Sequence, residues 1–277
     1  MNQIEQMHME TGHATHEHHE HHDHQELFDA AWEKSNQNEI IKQLNLGKKL
    51  EEILPNMPGF NKAFTKESLL DCPGCRLECS DGRVKSGGPK VALAGEGILL
   101  DEADKNILDS ILNGKNIIIT GHEGCGAAKM AHPEDANSDK FGYEGAEKLA
   151  ANTGNKYEEV HQESFRSPVH DERSLVIEGT LKFNCSDWAE FPPQFISSAA
   201  AIGLSDAYVE KEVKALTGIA LGDHGLGARF TAENPFYIIV SAKDQGQLSR
   251  LLEIGQSAVQ DFGARVKVDG FVAPEKK

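Results

Sequence analysis

The chain has 277 residues, of which 39% are hydrophobic and 26% charged, enough for one large domain or two small ones with a sizeable core. Its formal charge of −16, from 44 acidic against 28 basic side chains, argues against nucleic acid and anionic membrane surfaces as partners. No run approaches the roughly 18 apolar residues that span a bilayer, and the opening residues lack a secretory signal's basic start and apolar stretch, so a cytoplasmic protein is predicted.

Residues 1–25 carry His8, His13, His16, His18, His19, His21, His22 and His24 among Glu and Asp, without apolar periodicity. Such a segment cannot offset the entropy of ordering and is predicted to be a disordered tail. Its clustered imidazoles suit weak binding of transition metals or a merely solvated role. Residues 26–58 are predicted as a helical arm. Leu27, Phe28, Ala31 and Trp32, then Ile40, Ile41, Leu44 and Leu50, put an apolar stripe on one side of a helix or helix pair, and Pro55 and Pro58-Gly59 end it.

Residues 59–277 read as one α/β domain. A short strand or loop over 76–79 is followed by a strand over 90–94, a turn at 95–97 and a helix over 101–112. The apolar run 116–120 has the composition of a strand buried on both faces of a parallel sheet. A helix over 143–152, a strand over 174–183 and helices over 193–202 and 206–216 come next. A strand at 236–242, a helix at 247–262 and a strand at 264–268 close the chain. This alternation predicts a mostly parallel central sheet flanked by helices, and no internal repeat is visible.

Two segments carry chemistry. The first is Cys79-Ser80-Asp81-Gly82-Arg83; the second is Gly121-His122-Glu123-Gly124-Cys125-Gly126, directly after the buried strand. Two thiolates and an imidazole form a sensible zinc set, and three protein ligands leave the fourth position for water. Asp81 and Arg83 can pair as carboxylate and guanidinium. Asp81 can then orient a zinc-held water, or swing in and take the fourth position itself.

The pair of segments resembles the Cys-x-Asp-x-Arg and His-x-x-Cys-Gly motifs of β-class carbonic anhydrases. Ala94-Gly95 before Asp101-Glu102-Ala103 resembles that family's turn and helix start. The resemblance covers roughly residues 79–126 and departs from the family in a short 85–90 connection and in Leu93, where Asn is common. It implies a β-carbonic-anhydrase-like fold and Zn²⁺ on Cys79, His122 and Cys125, with Asp81 and Arg83 as the catalytic dyad. It places substrate against the Gly126 backbone N–H. The implied activity is reversible hydration of carbon dioxide to bicarbonate by zinc-bound hydroxide, in a homodimer or multiple of dimers whose N-terminal arm crosses to the partner.

Two other functions fit the same residues: hydrolysis of carbonyl sulfide or carbon disulfide, and non-catalytic zinc binding or storage. Cys72-Pro73-Gly74-Cys75 suits a second zinc or redox site, extra thiolates closing the first site, or two reduced cysteines in a turn. Cys185, with Asp187 but no following Arg, reads as structural. His132, His161, His170 and His224 are proton-shuttle candidates in principle; nothing in the sequence places any of them near the zinc set, and each also reads as a surface or packing residue.

Overall fold

The computed structural model describes residues 16–84, 88–184, 188–223 and 225–274. β1 (Arg76–Glu78), β2 (Lys90–Ala92), β3 (Ile118–His122) and β4 (Lys156–Val160) form a parallel sheet in the order β2-β1-β3-β4. Its crossovers contain α4 (Glu102–Leu112), α5 (Gly126–Ala131) and α6 (Asp139–Thr153). β5 (Ser174–Glu178), β6 (Gln194–Ser197), β7 (Phe236–Ala242) and β8 (Val266–Val272) form a second parallel sheet in the order β6-β5-β7-β8, crossed by α7 (Asp206–Leu221) and α8 (Gln245–Val259).

The expectation of one central sheet is therefore corrected to two four-stranded parallel sheets flanked by helices. Both sheets place their second strand outside the first, then the third and the fourth, so the chain carries one topology twice. The repeat escapes the sequence because strand order follows from the spacing of apolar segments rather than from residue identity. The sheets meet where Ile196 N donates to Ser80 O (3.1 Å) and Ser198 N to Ala92 O (2.8 Å). One core runs through both, with Leu77, Val91 and Ile119 clustered with Leu175, Ile177, Ile238 and Val240.

Side chains alternate across a strand, so the second sheet buries two faces. Leu175, Ile177, Ile238 and Val240 pack with Val209, Val213, Leu248 and Leu251 of α7 and α8. On the opposite face Val176, Ile196, Ile239 and Phe271 are covered by Ile40, Ile41, Leu44, Leu50 and Ile53. These belong to α2 (Glu39–Asn45) and α3 (Leu50–Ile53). α2 and α3 thus pack on the second sheet of their own chain. α1 (His16–Asn36) docks through Trp32, whose ring lies 4.1 Å from the Arg173 guanidinium and 5.4 Å edge-on from Phe230.

α1 begins at His16, inside the segment expected to lack structure. Propagating an existing helix costs far less than nucleating one, so the docked turns around Trp32 extend backward. His8 and His13 lie outside the described residues. Residues 193–202, expected as a helix, contain β6 instead: Pro192 and Pro193 lack helical N–H groups, and Phe195 and Ile196 enter cores on opposite sheet faces. β4 was not foreseen, because it is an edge strand with Lys156, Glu158 and Glu159 exposed and no apolar run.

Hydrogen bonds to buried carboxylates stitch the two units together. Ser205, the N-cap of α7, donates from N (2.8 Å) and Oγ (2.6 Å) to Asp104 of α4. Glu212 of α7 accepts from Ser80 Oγ (3.2 Å), Ala94 N and Ser197 Oγ. Burial pushes the Glu212 carboxyl up to about 7, against those three donors, which favour its charged form. A carboxyl raised on folding lends stability that is full below its unfolded value and lost as pH rises through the folded one. Relative to Glu212→Gln, the native chain should lose about 3 kcal/mol between pH 5 and pH 8, read from urea midpoints. Glu212→Ala, which orphans the three donors, should be less stable than either across that range.

Candidate metal centre

Neighbouring strands of a parallel sheet end on a common rim, where such sheets place their sites. β1 and β3 are neighbours. Cys79 follows β1, His122 ends β3, and Cys125 is the N-cap of α5. The three buried donor atoms lie within 4.8 Å of one another, and the sulfurs are 4.0 Å apart. Two thiolates at about 2.3 Å from a tetrahedral zinc stand roughly 3.8 Å apart, so the pair needs little adjustment.

His122 fixes its own tautomer. Nδ1 lies 2.7 Å from Glu123 O, and a carbonyl only accepts, so Nδ1 carries the proton. Nε2 is left buried with no hydrogen-bond partner. A buried orphan nitrogen facing two sulfurs is the donor set of a metal that prefers sulfur and nitrogen, and zinc fits it. The Gly95 N–H donates to Cys79 Sγ at 3.2 Å, and Cys125 N donates to Asp139 Oδ1 at 3.2 Å, which anchors both ligand loops.

Hydrogen bonding from the Cys125 thiol lowers Cys79 well below the usual thiol range against the opposing effect of burial, and facing His122 lowers it further. The same hydrogen bond, with burial, pushes Cys125 up. Burial alone would depress His122, yet the facing Cys79 thiolate, with Asp81 and Glu96, raises it to about 10. Together the shifts favour negative charge on Cys79 over Cys125 and positive charge on His122.

The turn after Cys79 holds the dyad. Asp81 Oδ1 accepts from Arg83 N (2.9 Å) and Nε (3.0 Å), and Oδ2 accepts from Arg83 Nη2 (2.6 Å). Arg83 Nη2 also donates to Gly124 O at 3.2 Å. Burial would raise the Asp81 carboxyl, but His170, then Arg83 and His122, outweigh it and hold Asp81 well below the usual carboxylate range. Asp81 does not belong to the mutually close Cys79–His122–Cys125 donor set; its carboxylate is turned to Arg83, leaving a three-ligand set. Gly82 has to be glycine, since a Cβ there would come within 2.1 Å of Gln194 O. Gly126, the first residue of α5, faces Ile219 of α7, whose Cδ1 a Cβ would meet at 2.8 Å.

Several contributors were not legible in the sequence. Phe165 lies edge-on to His122 with centroids 5.7 Å apart, and 5.2 Å from the Arg83 guanidinium carbon. Glu96 occupies a left-handed conformation (φ 52) unusual for a side-chain residue, with its carboxylate buried and unpartnered. Burial, joined by the Cys79 thiolate, pushes that carboxyl far up. The glycines flanking it were the available signal of a special backbone. His170 stands beside Asp81, with Nδ1 3.9 Å from Oδ1.

Of the other histidines, His132 stacks on Phe141 (3.6 Å) and His161 pairs with Glu123 (3.5 Å) at the surface. His224 and Cys185 lie outside the described residues. Cys72 and Cys75 are free thiols in the turn before β1 and stand outside the donor set, so they do not close it. Donor atoms of Asp81, His170 and Glu172 also cluster, but Arg83 already bonds both Asp81 oxygens and sets a fixed positive charge against a second cation. No helix among the described residues is long and apolar enough to cross a membrane. No protein-family model, curated protein or solved structure matches the chain.

Metal ligation requires deprotonated sulfur and a free Nε2. Zinc uptake near pH 7.5 should therefore release about two protons per chain from the donor set, and affinity should fall as pH is lowered. Calorimetry in buffers of differing ionisation enthalpy counts them. Cys125→Ser should abolish stoichiometric zinc, and proton release near zero would refute thiol donors in the set.

Proposed function

We propose that the chain is a zinc-dependent carbonic anhydrase of the β-class type, interconverting carbon dioxide and bicarbonate. The observation that carries this reading is the meeting of a three-donor Cys79–His122–Cys125 set with the buried Asp81–Arg83 ion pair at one sheet rim. Structural zinc is normally closed by four protein ligands, whereas hydrolytic and hydrating centres keep one position open. Zinc held there supplies Lewis acidity, which brings the pKa of bound water from 15.7 to about 7.

The chain's own residues do the rest. An ionised carboxylate offers about four acceptor positions. Arg83 makes four contacts through N, Nε and Nη2, with Nε shared between Oδ1 (3.0 Å) and Oδ2 (3.2 Å), so a water that hydrogen-bonds Asp81 takes over the longer Nε contact. Arg83 holds that carboxylate in one orientation and in its charged form. Gly126 contributes a backbone N–H at the first position of α5, where no intrahelical acceptor exists, suited to a product oxygen gaining negative charge. Phe165 and Ile219 supply apolar surface, which a linear, uncharged substrate tolerates and a charged one does not.

Stopped-flow carbon dioxide hydration on zinc-loaded protein tests the reading. Asp81→Ala should keep one zinc per chain and lose about 10²-fold or more of turnover. Undiminished turnover in that variant would remove Asp81 from the mechanism. A native chain that holds zinc and hydrates no carbon dioxide would overturn the reading as a whole, with carbonyl sulfide the next substrate to assay.

A further inference from the structure

Arg83 holds the Asp81 carboxylate on one side; a second basic group faces it from another element. His170 belongs to the segment before β5, and its Nδ1 lies 3.9 Å from Asp81 Oδ1 and 3.1 Å from Glu172 Oε2. A carboxylate only accepts, so Nδ1–H donates to Glu172. The ring is buried and tilted against Phe195 at 5.5 Å. Glu172 is buried too, and its Oε1 sits where a Cβ on Gly82 would come within 3.0 Å. His170 and Glu172 are thus built in directly beneath the Asp81-Gly82-Arg83 turn.

The placement solves a problem intrinsic to the turn. Asp81 is only two residues from Cys79, and an ionised carboxylate is itself a good zinc ligand. A carboxylate that rotated onto the metal would fill its open position. Rotation is opposed if cations face the carboxylate where it now stands, and two do: Arg83 by direct hydrogen bonds and His170 by proximity. Burial works against a charged His170, and so does Arg83, but Glu172 and Asp81 together raise its pKa and favour the imidazolium.

We propose that His170 is a positioning residue for Asp81: its ring, fixed by Glu172, keeps the Asp81 carboxylate on Arg83 and away from the open position of the Cys79–His122–Cys125 set. This rests on the proposed function only in taking that set to hold a metal with one position open. His170 does not touch the reacting atoms in this role; it acts through Asp81.

The test uses the full chain loaded with cobalt(II), whose visible absorption reports coordination, titrated with thiocyanate as a ligand for an open position. The native chain should bind thiocyanate with a shift of the cobalt bands. His170→Ala should keep one cobalt per chain, show altered bands before any addition, and bind thiocyanate about tenfold or more weakly, the scale on which residues behind metal ligands act. The double variant Asp81→Ala/His170→Ala should regain native thiocyanate affinity, because the competing carboxylate is gone; a fold merely damaged at His170 would not be rescued. Thiocyanate affinity unchanged in His170→Ala, failure of the double variant to regain it, or no thiocyanate response in the native chain would each overturn the proposal. Carbon dioxide takes no part in this experiment. A cobalt protein that behaves as expected yet whose zinc form hydrates nothing would sink the proposed activity and leave the role of His170 standing.

Discussion

The pairing of Asp81 with Arg83 in a buried turn is the constraint around which the rest of the site is arranged. Removing two charges from water is costly unless the geometry is close and the remaining donors find partners. Here the pair is joined through both carboxylate oxygens and the backbone, and the spare guanidinium N–H reaches Gly124 O on the other ligand loop. One side chain therefore fixes the carboxylate and ties the Cys79 loop to the His122–Cys125 loop. The turn can be this tight only because Gly82 lies flat against the Gln194 carbonyl. That carbonyl belongs to β6, so the dyad of the first unit leans on the second.

The duplicated topology shows what the donor set does mechanically. In the first unit, the loops after the first and third strands converge on Cys79, His122 and Cys125. In the second unit the corresponding loops are joined by a side-chain amide: Gln247 Nε2 donates to Gly179 O (2.9 Å) and Oε1 accepts from Lys243 N (2.8 Å). Gly179 follows β5 as Cys79 follows β1, and a Cβ there would lie 2.6 Å from Ser241 O and 2.7 Å from Gln247 Oε1. The second rim is closed by hydrogen bonds and has no room for a ligand-bearing side chain. The first rim is closed by atoms suited to a metal, and its orphan Nε2 marks the difference.

Much of this was legible in the sequence, and the exceptions have physical causes. The donors and the dyad were readable because soft ligands and a carboxylate–guanidinium pair are chemically rare at such spacing. Strands such as β3 and β7 announced themselves as apolar runs, since both their faces are buried. β6 did not, because four residues shared between two cores carry neither a strand's alternation nor a long run. β4 did not, because its exposed edge is polar. Glu172 was invisible as a site residue, and His170, though named as a shuttle candidate, could not be placed, for a different reason: each is an ordinary polar residue in a loop, and only the packing of one unit on the other brings them to Asp81. The arm's apolar stripe was readable, but a stripe does not say which sheet it covers.

The segment joining the two units carries more of the site than either motif. A rim site built from the ends of β1 and β3 is open on the side away from its own strands. The chain crosses that side between β4 and β5. Phe165 turns its edge to His122 and covers Arg83; Arg166 donates from N to Arg83 O (2.7 Å) and from Nε to Gly82 O (3.1 Å) and is itself held by Asp171. His170 and Glu172 follow within the same stretch. A short motif can specify ligands, yet the dielectric around the dyad, the orientation of its carboxylate and the apolar wall beside it come from this crossing. Two chains sharing Cys-x-Asp-x-Arg and His-x-x-Cys-Gly but differing across residues 161–173 would offer the same donors in different surroundings, and the surroundings shape what a metal bound by those donors could do.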